Sequence, residues 1–264
     1  MKKHPLSAAP IGLLWTHQET TYFQFPRLSL NQHVAHAVFT RLGGTSAPPY
    51  AGLNTSYTVD DHADNVRKNL DTIKDVLGAR DLMFMNQSHG DRILVIRQDS
   101  PNRPTCPPAA DAMITRVPGM ALMVSQADCQ GVIIFDPILA VVANVHCGWR
   151  GNVTNILAKV VARMRQEFGC KASDLMAAIG PSLGPCCAEF ISYEEIFPDR
   201  FTRFMVRENH FNLWAISGNQ LQEAGLMEKS IEIAGICTPC STDLFYSYRG
   251  EGKTGRFGTV AMLR

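Results

Sequence analysis

Three side chains that can bind a metal ion stand beside predicted turns: His89, Cys129 and His146. Each lies at or near the end of a short apolar run, and rigid scaffolds commonly present reactive groups where elements give way to loops. Two imidazoles and one thiolate would give zinc three protein ligands and leave a fourth position for water or substrate. Zinc bound in this way lowers the pKa of a bound water to about 7, so the residue types indicate a catalytic site.

Spacing alone supports this hypothesis weakly, because 40 positions separate His89 from Cys129 and 17 separate Cys129 from His146. No compact zinc-binding fingerprint results from such distances. A lone histidine at a strand end is more often a structural hydrogen-bonding residue, and a lone cysteine is more often a small buried apolar residue. A hydrolase with Cys129 as nucleophile and His146 as base is a second chemistry that the same residues allow.

The other cysteines of interest are predicted to be structural thiols. Cys147 directly follows His146, and neighbouring residues on a strand face opposite sides, so the two should not bind one ion. The pair in Cys237-Thr238-Pro239-Cys240 cannot close a tetrahedral zinc site without two more ligands. A redox pair is the alternative, but no βαβ pattern of a thioredoxin-like protein surrounds it. The adjacent Cys186 and Cys187 would form a disulfide only with strain, so free thiols are predicted there too.

The composition is that of a soluble globular protein. The chain of 264 residues is 45% hydrophobic and 19% charged, which is enough for a sizeable core. A formal net charge of +1 argues against broad binding to nucleic acid or to an anionic membrane. The most apolar stretch, 131–145, contains Asp136 and Pro137 and is too short to span a bilayer. Without a clear export signal, the eight cysteines are expected to be reduced, in the cytoplasm.

Hydrophobic periodicity predicts the elements that position these residues. Residues 62–77 have helical spacing up to Gly78, and Asn152 is predicted to begin a helix that runs to about Phe168. A third helix is predicted over 215–224. The segment 101–108 holds four prolines and predicts a loop. Short apolar runs predict strands around 22–25, 33–40, 82–85, 93–96, 112–115, 121–125, 132–135, 139–146, 175–179 and 259–263.

Ten short motifs, in order between residues 41 and 256, resemble the multicopper polyphenol oxidase or laccase-like family, also called the purine nucleoside phosphorylase or peptidoglycan editing factor family. Together they cover most of the chain and are highly specific. The motifs are Arg41-Leu42-Gly43-Gly44-Thr45-Ser46, Gly52-Leu53-Asn54, Gln87-Ser88-His89-Gly90, Ala110-Asp111-Ala112, Ala127-Asp128-Cys129, His146-Cys147-Gly148-Trp149-Arg150-Gly151, Ile179-Gly180-Pro181-Ser182-Leu183-Gly184, Cys186-Cys187, Tyr246-Ser247-Tyr248-Arg249 and Thr254-Gly255-Arg256.

The resemblance implies that His89, Cys129 and His146 are zinc ligands and that Arg41 and Asn54 line the active site and contact substrate. Three departures from the family pattern remove no ligand but leave substrate preference open. They are Ser88, Gln130-Gly131 and Cys147.

Three further residues are weaker candidates. Asp128 precedes Cys129 and is predicted to orient a metal ligand without binding the metal itself. Arg249 and Arg256 are candidates for substrate contact, with less support than Arg41.

The implied fold is α+β, a single domain with mixed β-sheets layered between helices in the order α/β/β/α, similar to a deamidating bacterial toxin domain. This catalytic domain is predicted to span residues 31–264. Residues 1–30 carry little pattern and are predicted to be an N-terminal lead-in.

The implied activity is zinc-dependent cleavage of adenosine, inosine or a related nucleoside with phosphate, with adenosine deamination as a possible second reaction. The alternatives are amide cleavage in wrongly built peptidoglycan precursors and a non-catalytic metal-binding or redox-sensing protein. Copper fits poorly, because the eight histidines include no His-x-His pair of the kind that multicopper centres use. Copper outranks zinc in affinity and could bind adventitiously. The expected partners are therefore nucleoside, phosphate and Zn²⁺, and the oligomeric state stays open.

Overall fold

The structure is a computed structural model that describes residues 13–17, 19–98 and 107–264. Most of the loop predicted over 101–108 therefore lies outside the described residues. Within the described part of the chain, no helix combines the length and the apolar character needed to cross a lipid bilayer.

The described residues contain fourteen strands, most of which belong to two large sheets. They are β1 (Leu13–His17), β2 (Thr20–Gln24), β3 (Val34–Phe39), β4 (Asp81–Phe84), β5 (Ile93–Ile96), β6 (Ala112–Thr115), β7 (Met120–Gln126), β8 (Gln130–Asp136), β9 (Val141–Cys147), β10 (Met176–Ile179), β11 (Met205–Arg207), β12 (His210–Phe211), β13 (Ile231–Ile233) and β14 (Phe257–Leu263).

Both large sheets have six strands and mixed direction. The first has the order β1-β2-β3-β14-β7-β4, and the second has the order β13-β10-β8-β9-β6-β5. Pairing is antiparallel except between β4 and β7, β5 and β6, and β10 and β13. The short strands β11 and β12 form a separate antiparallel ribbon.

Helical segments lie between these strands. The described residues contain α1 (Pro26–Ser29), α2 (Ala63–Leu77), α3 (Trp149–Thr154), α4 (Ile156–Phe168), α5 (Tyr193–Ile196), α6 (Leu213–Glu223) and α7 (Tyr248–Glu251). Three short 3₁₀ segments cover Ala172–Asp174, Asp199–Phe204 and Glu228–Ser230.

The core consists of stacked apolar layers, because successive residues of a strand face opposite sides of its sheet. In β7, Leu122 faces the layer between the two sheets, whereas Ala121 packs in the layer beneath α2. In β8, Ile133 faces the layer between the sheets, whereas Ile134 packs in the layer that includes residues of α4 and α6. The predicted α+β fold, with two sheets layered between helices, is therefore confirmed.

The predicted helix ends at glycines are confirmed, whereas the predicted first residue of one helix is wrong. Helix α2 ends at Gly78, which has a φ of 63° in the left-handed region that glycine tolerates. The helix predicted to begin at Asn152 is instead two helices, α3 and α4, separated by Asn155 with a φ of 55°. Asn155 is the residue that caps α4, since its side chain accepts a hydrogen bond from Ala158 N at 3.3 Å. The Asn152 side chain points into the core and donates to Ser217.

Part of the predicted lead-in belongs to the first sheet. Strand β2 pairs with β3 through Tyr22 opposite Phe39 and Phe23 opposite Val38. The strand predicted around 22–25 is confirmed, and β1 continues the sheet on its outer side. The domain boundary at residue 30 stays a prediction.

Candidate metal centre and its cavity

The sheets bring His89, Cys129 and His146 together. Cys129 lies in the turn between β7 and β8, and His146 lies near the end of β9, opposite Gly131. Since β8 and β9 are antiparallel, the start of β8 lies beside the end of β9. The loop between β4 and β5 adds His89.

These residues, here called the three-ligand centre, form a compact group. Their ligating atoms all lie within 4.8 Å of one another. Cys129 Sγ is 3.8 Å from His89 Nε2, and the two imidazole rings meet edge to face with centroids 4.8 Å apart. Among the described residues, the group contains no fourth histidine, cysteine or carboxylate, so one position on a bound metal would stay open.

Asp111 orients the His146 ring and holds the backbone of His89, a role that the sequence did not predict. One carboxylate oxygen lies 2.9 Å from His146 Nδ1 and accepts the His89 backbone N–H at 2.9 Å. The other oxygen accepts hydrogen bonds from the loop that carries His89. Because Asp111 occupies Nδ1, the Nε2 atom of His146 is the one left for a metal. The signals in the sequence were the motif Ala110-Asp111-Ala112 and the position of its acidic residue directly before an apolar run.

The electrostatics of the centre favour a thiolate. Burial raises the pKa of the Cys129 thiol, but the nearby His146 and His89 outweigh burial and bring this pKa to about 6. Burial lowers the pKa of His146, but Cys129 and Asp111 raise it to about 9. Burial raises the pKa of Asp111, yet its hydrogen bonds with His146 and the Gly90 backbone hold it well below its usual range. A thiolate is the form of cysteine that binds metal ions.

The backbone bends tightly around the centre. His89 and Asp128 have φ angles of 59° and 84°, a region that costs energy for any residue other than glycine. At Gly148 a Cβ atom would lie 2.7 Å from Cys129 Sγ, closer than such atoms can approach. The three side chains are therefore positioned by strained turns and by a glycine that leaves room for the sulfur.

Asp128 lies in the same turn as Cys129, and its side chain connects this turn to two other segments through hydrogen bonds. Its Oδ1 accepts hydrogen bonds from Thr238 Oγ1 and Ser247 Oγ, both at 2.7 Å. Its Oδ2 accepts the Arg249 backbone N–H at 2.6 Å. Asp128 thus acts on the position of Cys129 through the backbone.

The three-ligand centre opens into a cavity of about 880 Å³, a volume typical of small-molecule sites. The lining combines positive charge with aromatic surface. It includes three arginines (Arg150, Arg249 and Arg256) and five aromatic residues (Tyr57, Phe84, Trp149, Phe190 and Tyr248).

Arg41 and Asn54, the predicted substrate contacts, are not among the residues that line this cavity. Arg41 pairs with Glu251 at 2.7 Å and packs over the Tyr246 ring at 4.4 Å. Asn54 is fully buried, and its Oδ1 accepts the Arg256 backbone N–H at 2.9 Å. These contacts favour a supporting role for both residues, and direct contact with substrate stays a prediction.

The remaining cysteines divide into two cases. Cys147 is buried in the apolar layer on the helix-covered side of the second sheet, which confirms that it faces away from His146. Cys237 and Cys240 are free thiols, as predicted, but the pair does not stand alone. Cys186 and Cys187 lie beside it and complete a group of four thiols.

Comparison with known proteins gives consistent matches over most of the chain. The family model described as multi-copper polyphenol oxidoreductase laccase matches residues 35–264. A protein named purine nucleoside phosphorylase from Bacteroides thetaiotaomicron is 32% identical over 258 residues, covering 90% of this chain and 95% of that one. A protein of the same name from Deinococcus radiodurans is 33% identical over 248 residues, covering 88% and 90%. The crystal structure of Bacillus licheniformis YfiH matches with a TM-score of 0.85 at 27% identity, covering 95% of this chain and 99% of that one.

Proposed function

This chain belongs to the multi-copper polyphenol oxidoreductase laccase family, and we propose that it is a zinc-dependent purine nucleoside phosphorylase that acts on adenosine, inosine or a related nucleoside. The observation that carries the proposal is the three-ligand centre, which opens into a cavity lined by arginines and aromatic rings. The relatives named purine nucleoside phosphorylase support the same reaction class.

The donor set of the centre fits zinc. His89 and His146 offer imidazole nitrogens and Cys129 offers a thiolate, which are the ligand types that zinc prefers. Asp111 holds the His146 ring in the orientation that zinc-binding histidines commonly need. A zinc ion held there would supply Lewis acidity that polarises an oxygen of the phosphate or of the nucleoside.

The same donor set argues against the copper chemistry in the family's name. Multicopper oxidases require several copper ions connected by closely spaced histidines, and this chain has eight histidines with no His-x-His pair. Among the described residues, one group of possible metal ligands includes histidine, and it holds two. Copper bound there would be adventitious.

Arginines of the lining are suited to bind the phosphate. Phosphorolysis joins a phosphate oxygen to ribose C1′ as the bond from C1′ to the purine nitrogen breaks, so the phosphate must be held beside that carbon. Arginine binds phosphate oxygens through two parallel hydrogen bonds. Arg256 lies within electrostatic reach of Cys129 and Asp128, and its guanidinium is held by two backbone carbonyls. Arg256 is therefore the proposed phosphate ligand beside the centre.

Aromatic residues of the lining are suited to bind the purine. Flat rings stack on one another, and each stacked base contributes on the order of 1–3 kcal/mol. The Tyr248 side chain lines the cavity and is 63% exposed, so its ring is accessible to a base. Trp149 also lines the cavity and carries the Arg150 guanidinium 4.3 Å above its ring.

A nucleoside panel tests the proposal. Purified protein with phosphate should release free base and ribose 1-phosphate from adenosine or inosine, and Cys129→Ala should lose this activity. Cys170→Ala is the matched control, because Cys170 is a buried thiol outside both groups of possible metal ligands. Equal turnover by Cys129→Ala and the control would refute the proposal.

The same panel, extended by a muropeptide precursor, separates the competing activities proposed for this centre. Conversion of adenosine to inosine without base release would indicate a deaminase. Release of an amino acid from a muropeptide precursor, with nucleosides unchanged, would indicate amide hydrolysis. Either result in the absence of phosphorolysis would contradict the proposed reaction while keeping the centre catalytic.

A further inference from the structure

Four cysteines from two distant parts of the sequence meet in the fold. Cys186 and Cys187 lie in the segment between β10 and α5, whereas Cys237 and Cys240 follow β13. Their Sγ atoms all lie within 4.8 Å of one another. Cys240 Sγ is 3.7 Å from Cys186 Sγ and 3.5 Å from Cys187 Sγ. These four residues are called the cysteine cluster below.

The distances from Cys240 Sγ to Cys186 Sγ and Cys187 Sγ match those of a tetrahedral metal site. Zinc binds thiolate sulfur at about 2.3 Å, so two sulfurs on one tetrahedral zinc lie about 3.8 Å apart. A disulfide would bring two sulfurs to about 2.05 Å, and all four of these cysteines are free. We propose that the cysteine cluster binds one structural zinc ion, separate from the three-ligand centre.

The local backbone presents all four thiols to one point. Cys240 N donates to Cys237 O at 3.2 Å, which closes the tight turn expected of a C-x-x-C zinc-binding pair. At Gly184 a Cβ atom would lie 2.8 Å from Cys237 Cβ, so glycine lets the segment with Cys186 and Cys187 approach closely.

The backbone also joins the two segments directly. Ser182 and Cys237 form a parallel bridge, with Ser182 N donating to Ile236 O and Thr238 N donating to Ser182 O, both at 3.1 Å. A zinc ion would reinforce this short bridge with four strong bonds. Because it would close a loop of about 50 residues, it would remove much of the freedom that this loop has in the unfolded chain.

Both segments hold the turn that carries Cys129. Leu183 N donates to Asp128 O at 2.8 Å, and Thr238 Oγ1 donates to Asp128 Oδ1 at 2.7 Å. The ion in the cysteine cluster would therefore stiffen one wall of the cavity. Four protein ligands leave no position for substrate, so its role is structural.

Metal content tests the proposal on the full chain. Wild type should hold two zinc ions per chain, and the triple variant His89→Ala/Cys129→Ala/His146→Ala should hold one. X-ray absorption at the zinc edge of that triple variant should show four sulfur ligands at about 2.3 Å. A triple variant that binds no zinc, nitrogen ligands in its spectrum, or an intact mass that reports a disulfide within the cluster would overturn the proposal.

A variant of the cluster adds an independent readout. Cys240→Ser should lose one zinc ion per chain and lower Tm by roughly 10 °C, whereas the control Cys170→Ala should keep both ions. Cys240→Ser with both ions and an unchanged Tm would overturn the proposal. One zinc ion in both wild type and the triple variant would support the cluster and count against zinc in the three-ligand centre, so the two proposals fail separately.

Discussion

The two groups of metal-capable side chains differ in the one property that separates catalysis from structure. The three-ligand centre has two imidazoles and one thiolate and opens into a cavity of about 880 Å³. The cysteine cluster has four thiols, none of which lines that cavity. A zinc ion with three protein ligands can still bind a reacting atom, whereas one with four cannot. Zinc would therefore support catalysis in the three-ligand centre and hold two loops together in the cysteine cluster.

The two groups are connected through Asp128. This residue precedes Cys129, and it accepts a hydrogen bond from Thr238, which lies between two cysteines of the cluster. The comparison thus predicts two patterns of failure. Damage to the three-ligand centre should remove activity and spare the fold, whereas damage to the cluster should lower stability first.

The largest effect is expected for Cys129→Ala. Loss of the thiolate should lower kcat/KM for phosphorolysis by on the order of 10³-fold, because the metal would lose its only anionic ligand. Tm should change by only a few degrees, since the side chain is partly exposed. Initial rates measure kcat/KM and calorimetry measures Tm. A variant that keeps a tenth of the wild-type rate would show that Cys129 has no direct part in the reaction.

Asp111→Asn should weaken metal binding by about 10- to 100-fold, because Asp111 orients His146. A pH titration of stability gives a second readout. Folding lowers the pKa of Asp111, so its carboxylate stabilises the fold above its unfolded pKa of about 4, and this contribution is lost as pH falls below that value. The variant should therefore lose less stability than wild type on acidification. Parallel acid curves for the two proteins would contradict the role given to the carboxylate.

Gly148→Ala tests whether the space beside Cys129 matters. The added Cβ atom would lie 2.7 Å from Cys129 Sγ, so the sulfur must move. We expect metal affinity to fall by about tenfold, because a ligand shifted from its best geometry binds less well. Competition with a chromophoric chelator measures the affinity. Gly151→Ala is a milder control, since its Cβ would meet its nearest neighbour at 3.3 Å, and equal losses in both variants would dismiss the steric account.

The smallest effect is expected for Thr238→Val, which tests the connection between the two groups. It removes one of the hydrogen bonds to Asp128 and costs about 1 kcal/mol, or a few degrees in Tm. Both zinc ions should stay bound, and kcat/KM should fall by only a few-fold. A loss of activity as large as that of Cys129→Ala would show that Asp128 does more than hold the turn.

The three-ligand centre was predictable from the sequence and the cysteine cluster only in part, for a physical reason. The resemblance carried by the ordered motifs implied His89, Cys129 and His146 as zinc ligands, although their spacing alone said little. The Cys237-x-x-Cys240 spacing was visible, but the pair was predicted to be structural free thiols because a zinc site needs two more ligands. The other half of the cluster lies about 50 positions earlier, and it arrives through a parallel bridge at Ser182 that no local pattern encodes.

Supporting residues were the least predictable part of the site. Asp111 directly precedes β6 and hydrogen-bonds to His146 in β9 and to the loop before β5. Since β9 and β5 flank β6 in the sheet, its role depends on strand pairing. Arg41 and Asn54 were predicted to contact substrate, yet each makes contacts that brace neighbouring loops. The start of α4 was missed because Asn152 and Asn155 are equally good caps in sequence, and packing against Ser217 decides between them.

Stepwise removal of metal tests most directly the claim that the three-ligand centre is the catalytic one. A chelator added in increasing amounts to the wild-type protein should first remove the ion with three protein ligands. Phosphorolysis of inosine or adenosine should fall in proportion to the loss of this first zinc, while Tm and the ion in the cysteine cluster stay unchanged. Full activity in protein whose three-ligand centre has been emptied would contradict the account.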